Sequence, residues 1–194
     1  AHALYKAPLF LAAGNIEKAT GTRQLDQLGG VLKRVPVTGA VVAFSMLSLF
    51  GLPPMLGFIA KEYMLAALWD HSVAVGVLGA LLAGCALAVG LRAFLMLGLN
   101  SGNASQHQLY PVPKGMTLAC LLPAAFSLVA LLCYPLVNTS VFTKAAASLA
   151  SAPVKPFSFW HGFTPALFLS MTAIAFSLVL VFIINKRGAI PRAW

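Results

Sequence analysis

Gly51-Leu52-Pro53-Pro54-Met55-Leu56-Gly57-Phe58-Ile59-Ala60-Lys61-Glu62 interrupts an apolar segment that runs from about residue 37 to residue 69. The two prolines remove amide donors and crowd the preceding turn, and Gly51 and Gly57 loosen the backbone on either side. Carbonyls near residues 49–56 therefore lose helical partners. Hydrocarbon tolerates that only where the backbone is covered by protein or lines a wet cavity. A lysine and a glutamate follow at once, and ionisable side chains beside a broken apolar helix mark candidate ion pathways.

Composition places this segment in a membrane. Apolar residues make up 60% of the chain, charged residues 9%, and the mean hydropathy is +0.89. A soluble chain carries about 25% charged residues, and a helix needs roughly 20 apolar residues to cross about 30 Å of hydrocarbon. Several runs reach that length, so the chain reads as an all-α, polytopic bundle of transmembrane helices, one of them broken by proline. The net charge of +9 then bears on orientation and lipid headgroups. No glycine-rich phosphate loop or aromatic RNA-binding pattern accompanies the basic residues, which argues against nucleic acid as a partner. Cys85, Cys120 and Cys133 lie in apolar runs without CxxC spacing and read as small buried hydrophobes, neither disulfides nor metal ligands. No flavin, nicotinamide or iron–sulfur motif is present, so no cofactor and no electron transfer are expected of these residues.

Ala1-His2-Ala3-Leu4-Tyr5-Lys6 leads straight into an apolar run, with no basic leader or cleavage site. The chain is expected to start inside a helix. Spans are expected at about 1–17 (truncated), 37–69 (broken at 51–57), 72–98, 116–137 and 164–185, all within one membrane domain. The polar connections hold Lys18, Arg23, Lys33 and Arg34; then Asn100, Ser101, Asn103 and Lys114; then Lys144 and Lys155; and a tail with Lys186, Arg187 and Arg192. If 37–69 crosses once, one side collects 8 of these Lys and Arg residues and the other only 2, whereas two crossings give 6 against 4. The positive-inside rule favours the single broken span, with loop 18–36 and the C-terminus in the cytoplasm.

His2 and Lys6 are four residues apart and share a helical face. A lysine enclosed by helices can exchange its proton near neutral pH, so the pair could belong to a proton relay; alternatively Lys6 snorkels to the interface from a helix end. Lys61 carries the same ambiguity, because residues 37–60 are uncharged and could fill the membrane alone. The Pro53-Pro54 break shortens each half, and the apolar run from Tyr63 to Trp69 places Trp69 as an interfacial anchor, which moves Lys61 inward. Glu62 points about 100° away from Lys61 and faces either another helix or another subunit. Asp70-His71 reads as turn chemistry, Arg92 as a snorkelling residue, His107 as a loop residue and His161 as part of an aromatic belt. Only Glu62, of the 4 acidic residues, adjoins a helix break, so no cation-selective carboxylate cluster is visible.

Three motifs in order resemble the antiporter-like membrane subunits shared by respiratory complex I and the Mrp-type multisubunit sodium/proton antiporters. His2-Ala-Leu-Tyr-Lys6-Ala-x-Leu-Phe is similar to the family's HAxxKAxLF helix. Gly14, Thr20-Gly-Thr-Arg23 and Gly29-Gly30 are similar to its TGTRD-and-LGG loop, with Gln24 and Asp26 departing from the aspartate that usually follows TGTR. Gly51-Leu-Pro-Pro-x-x-Gly57-Phe58-x-x-Lys61-Glu62 is similar to its GxPPxxGFxxKE/D break. Phe58-Ile-Ala-Lys61-Glu62 and Trp160-His161-Gly162-Phe163 look closer to the large A-type member of the antiporters than to complex I.

The resemblance implies a fold of two inverted five-helix repeats, with this chain holding the end of the second repeat and later helices. It implies a proton pathway through His2, Lys6, Lys61 and Glu62, and a flexible point at Gly51, Pro53, Pro54 and Gly57. The implied function is a proton-translocating subunit of a monovalent cation (Na⁺)/H⁺ antiporter in a bacterial inner membrane, with other membrane subunits as partners. The glutamate and lysine of the first repeat would lie upstream of Ala1. The alternatives are a proton-pumping subunit of NADH:quinone oxidoreductase and a non-transporting membrane scaffold.

Overall fold

Uninterrupted aliphatic sequence in lipid forms helices, because each backbone donor must find its acceptor within the segment. The computed structural model describes residues 2–99, 109–150, 156–160 and 162–187. Among them are α1 (His2–Thr20), a 3₁₀ turn (Leu25–Gln27), α2 (Val31–Arg34), α3 (Pro36–Phe50), α4 (Leu56–His71), α5 (Val73–Leu99), α6 (Lys114–Leu132), α7 (Tyr134–Val137), a π-helical turn (Asn138–Phe142), α8 (Thr143–Ala150) and α9 (Pro165–Arg187). No strand occurs among the described residues. Asn100, Ser101, Asn103, His107, Lys155, His161 and Arg192 lie outside them.

Helices Val73–Gly98, Lys114–Leu132 and Pro165–Lys186 are each long and apolar enough to cross a membrane. α3 and α4 are not: at 1.5 Å per residue they run about 22 and 24 Å, short of the roughly 30 Å of hydrocarbon. The bundle shows large aliphatic and aromatic side chains on its outside, among them Leu82, Val89, Phe126, Leu132, Phe168 and Phe182. Such a surface suits lipid, where apolar exposure carries no penalty. Cys85 and Cys133 belong to it, so only Cys120 is the buried hydrophobe that the sequence suggests.

What holds helices together in lipid is close approach, and the sequence supplies it with small residues. α5 carries Gly76, Ala80, Gly84 and Ala88 at four-residue spacing; Gly76 lies against Trp69 of α4, while Ala80 and Gly84 are on the side of α9, which offers buried Ala166, Ser170, Ala173 and Ser177. A methyl group on Gly84 would stand 2.8 Å from the Phe176 ring and 3.0 Å from the Ala173 carbonyl. α1 packs on α6 and α3 through Pro8, Ala12, Asn15, Ile16 and Ala19. Asn15 Nδ2 donates to Thr38 Oγ1 at 3.4 Å, tying α1 to the start of α3. Since α1 and α3 are antiparallel, this pairing sets Lys6 at the level of the last turn of α3.

The loop after α1 is stitched locally. Thr20 Oγ1 donates to the Ile16 carbonyl, Thr22 Oγ1 to Gln27 Oε1, and Gln27 Nε2 to Gln24 Oε1. Gln24, one of the departures from the family loop, thus has a partner inside the loop. In sequence, 138–163 reads as a connection. The structure instead places the π-helical turn and α8 there, and ends α6 at Leu132.

Candidate functional site at the helix break

The last turn of α3 and the first of α4 face each other across residues 51–55, where no helix forms. Gly51 closes α3 at φ +63°, a left-handed conformation that glycine adopts without strain. Its N–H donates to the Ser48 carbonyl at 3.0 Å and the Leu52 N–H to the Leu47 carbonyl at 3.2 Å, the bond pair of a Schellman ending. Pro53 and Pro54, joined by a cis peptide bond, sit exposed in the following turn, which Met55 N–H closes onto the Leu52 carbonyl at 2.9 Å. α4 then starts with no cap of its own. Ser48 Oγ on α3 accepts from the Gly57 N–H at 3.2 Å and satisfies one of its orphan donors. A Cβ on Gly57 would overlap the Ser48 carbonyl, so only glycine permits this approach.

Lys61 bridges the gap from the other side. Its Nζ donates to the Phe50 carbonyl at 2.7 Å, and its side chain lies over Gly51, where a Cβ would come within 2.7 Å of Cε. The ammonium therefore sits at the C-terminal end of α3, where the unsatisfied carbonyls and the helix dipole favour positive charge. Glu62 is 3% exposed and turned toward the start of α9, beside a cavity of about 90 Å³ lined also by Thr164 and Ala166. The two neighbours in sequence thus serve different faces of α4.

The structure brings Lys61 onto Gly51 and Gly57 onto Ser48, and keeps His2 and Lys6 apart from them. Both of the latter are exposed on α1; His2 Nδ1 is 2.8 Å from the Tyr5 hydroxyl, with the rings edge to face. Three buried side chains that hydropathy does not single out lie on one face of α3: Thr38, Ser45 and Ser48. Hydroxyls at positions i, i+7 and i+10 of an otherwise apolar helix were the available signal. Elsewhere Arg23 Nε and Glu17 Oε1 form an exposed ion pair at 2.7 Å, of the kind that contributes little to stability. Among the described residues no group of three or more His, Cys, Asp or Glu side chains could hold a metal ion.

Residues 1–89, which include α1, the break and most of α5, match the family described as NADH:quinone oxidoreductase/Mrp antiporter, TM. The chain is 26% identical to the A-type Na(+)/H(+) antiporter protein of Alkalihalophilus pseudofirmus, over 97% of this chain and 26% of that protein. It is 28% identical to the A1-type Na(+)/H(+) antiporter protein of Staphylococcus epidermidis, over 94% of this chain and 24% of that protein. Among solved structures it superposes on a chain of the Mrp complex from a Dietzia species with a TM-score of 0.77 and 31% identity, covering 100% of this chain and 22% of that one. The chain thus spans about a quarter of the length of the relatives it matches. Over residues 1–89, and in its helical architecture, the chain is thus similar to the antiporter-like membrane subunits common to Mrp antiporters and NADH:quinone oxidoreductase.

Proposed function

We propose that this chain forms part of a proton-translocating subunit of a multisubunit Na⁺/H⁺ antiporter, and that Lys61 carries the proton at the helix break. The observation that supports this most is the bond from Lys61 Nζ to the Phe50 carbonyl. A charged ammonium is held by the α3 terminus; after losing its proton it loses the electrostatic part of that attraction and is free to leave. Protonation and side-chain position are then linked at a place where the backbone is already interrupted. His2 and Lys6 would extend the path along α1, Glu62 would serve the face toward α9, and Gly51, Pro53, Pro54 and Gly57 would form the flexible point. The exposure of Lys6 fits a residue that meets other helices of the whole subunit.

The antiporter reading is favoured over a complex I pump by the names of the relatives, which are antiporter subunits. Partners are other membrane subunits of the assembly, and the ions exchanged are H⁺ and Na⁺. The site would be in a bacterial inner membrane, with the 18–36 loop and the C-terminus in the cytoplasm. Everted vesicles from cells with and without the gene decide the class. In vesicles holding an imposed pH gradient, added Na⁺ should collapse the gradient only when the gene is intact. Loss of NADH-driven proton pumping, with Na⁺ without effect, would move the chain to the complex I branch.

A further inference from the structure

The first turn of α4 is held by a short strap of chain, residues 156–160. Phe58, 1% exposed, is stacked on Trp160 with centroids 6.3 Å apart and lies 6.4 Å from the Phe159 ring. Further along α4, Tyr63 meets Phe157 edge-on at 4.8 Å, and its hydroxyl accepts from the Ser158 N–H at 2.8 Å. Next to this contact is a cavity of about 350 Å³, lined by Leu56, Ile59 and Ala60 of α4 and by Tyr134, Phe142 and Ala146 across from them. On that side α4 has room to shift. Its starting position is set by the strap and Ser48 together with the packing of Leu56, Phe58 and Ile59 against Ala130, Tyr134 and Leu167.

Asn138 holds the strap. It is 5% exposed and opens the π-helical turn, a backbone form frequent at functional sites. Its Nδ2 donates to the Phe157 carbonyl at 2.6 Å, and the Phe157 N–H donates back to Oδ1 at 3.1 Å. The amide pairs with one residue as a neighbouring strand would. The Tyr134 hydroxyl donates to the same carbonyl at 2.9 Å, and Thr143 Oγ1 to Asn138 Oδ1 at 3.4 Å.

We propose that Asn138 is a positioning residue for Lys61, acting through the strap at Phe157–Trp160 and the ring of Phe58. This rests on the reading of Lys61 as the proton-carrying group. Phe58 and Lys61 are three residues apart, so a tilt of α4 about Phe58 changes the reach of Lys61 Nζ to the Phe50 carbonyl. Releasing the strap then loosens the bond across the break without touching either of its partners.

The test uses the full-length subunit in its assembled complex, with nitroxides at the exposed positions Pro156 and Ala67. Asn138→Ala should broaden the distance distribution between them and lower Na⁺-dependent proton exchange about tenfold, within what an ångström-scale misplacement can cost. If that variant fails to assemble, Trp160→Ala removes the stack from a half-exposed position and should do the same. In a Lys61→Arg background either change should add less than about twofold, because both act on one contact. An unmoved strap, a broadened strap with full exchange, or a full tenfold loss on top of Lys61→Arg would each overturn the proposal alone. Full exchange by Lys61→Ala would overturn it together with the reading of Lys61.

Discussion

Gly51 and Gly57 are required for different physical reasons, and each gives a separate prediction. At Gly51 a side chain meets a left-handed backbone and the Lys61 methylenes. Gly51→Ala should push Lys61 off the Phe50 carbonyl; a charged hydrogen bond of about 1.5 kcal/mol corresponds to a fall in transport on the order of tenfold. Ion-flux measurement on the assembled complex checks this. Gly57→Ala forces apart the Ser48 carbonyl and the α4 backbone, and should cost about 3 kcal/mol, toward the upper end for overpacking. Ser48→Ala removes only the acceptor for the Gly57 N–H and should cost about 1 kcal/mol, as for a lost cap. Thermal unfolding of the detergent-solubilised complex should rank the two in that order. Ser48 is hidden in the sequence because a serine in an apolar run signals nothing until its partner is known. The glycines and prolines are legible because their effect is on the backbone itself.

Between elements, the deciding contacts are of two kinds. α5 and α9 meet through small residues, so Gly84→Leu should separate them and lower the yield of assembled complex several-fold; size-exclusion chromatography with a fluorescent tag would show it. The spacing Gly76, Ala80, Gly84, Ala88 is readable in the sequence, though hydropathy alone treats it as one more apolar stretch. α4 and the 156–160 strap meet through aromatic rings and through Asn138, which in sequence reads as part of a connection. The π-helical turn and α8 are not legible because Asn138-Thr139-Ser140 looks like a loop until the Asn138 side chain finds its partner 19 residues away. The all-α character and the apolar helices are legible because composition and length fix them in lipid.

At the scale of the molecule, Lys6 and Lys61 stand in contrast. Lys61 is partly buried and bonded within this chain, whereas Lys6 is exposed on α1 at a comparable depth. Lys6→Ala should therefore leave the thermal stability of the complex within about 0.5 kcal/mol, as for surface positions, and still reduce transport. Equal stability loss and transport loss would mark Lys6 as a packing residue. The proposed passage of the proton through Lys61 is the claim on which the rest depends. It is tested by proton flux driven by a Na⁺ gradient in liposomes holding the purified, fully assembled complex with Lys61→Ala. A fall of more than about tenfold is expected, since alanine leaves no amine at the Phe50 carbonyl to carry the proton across the break. Flux equal to that of the unsubstituted complex, at equal assembly, would show that the proton takes another route.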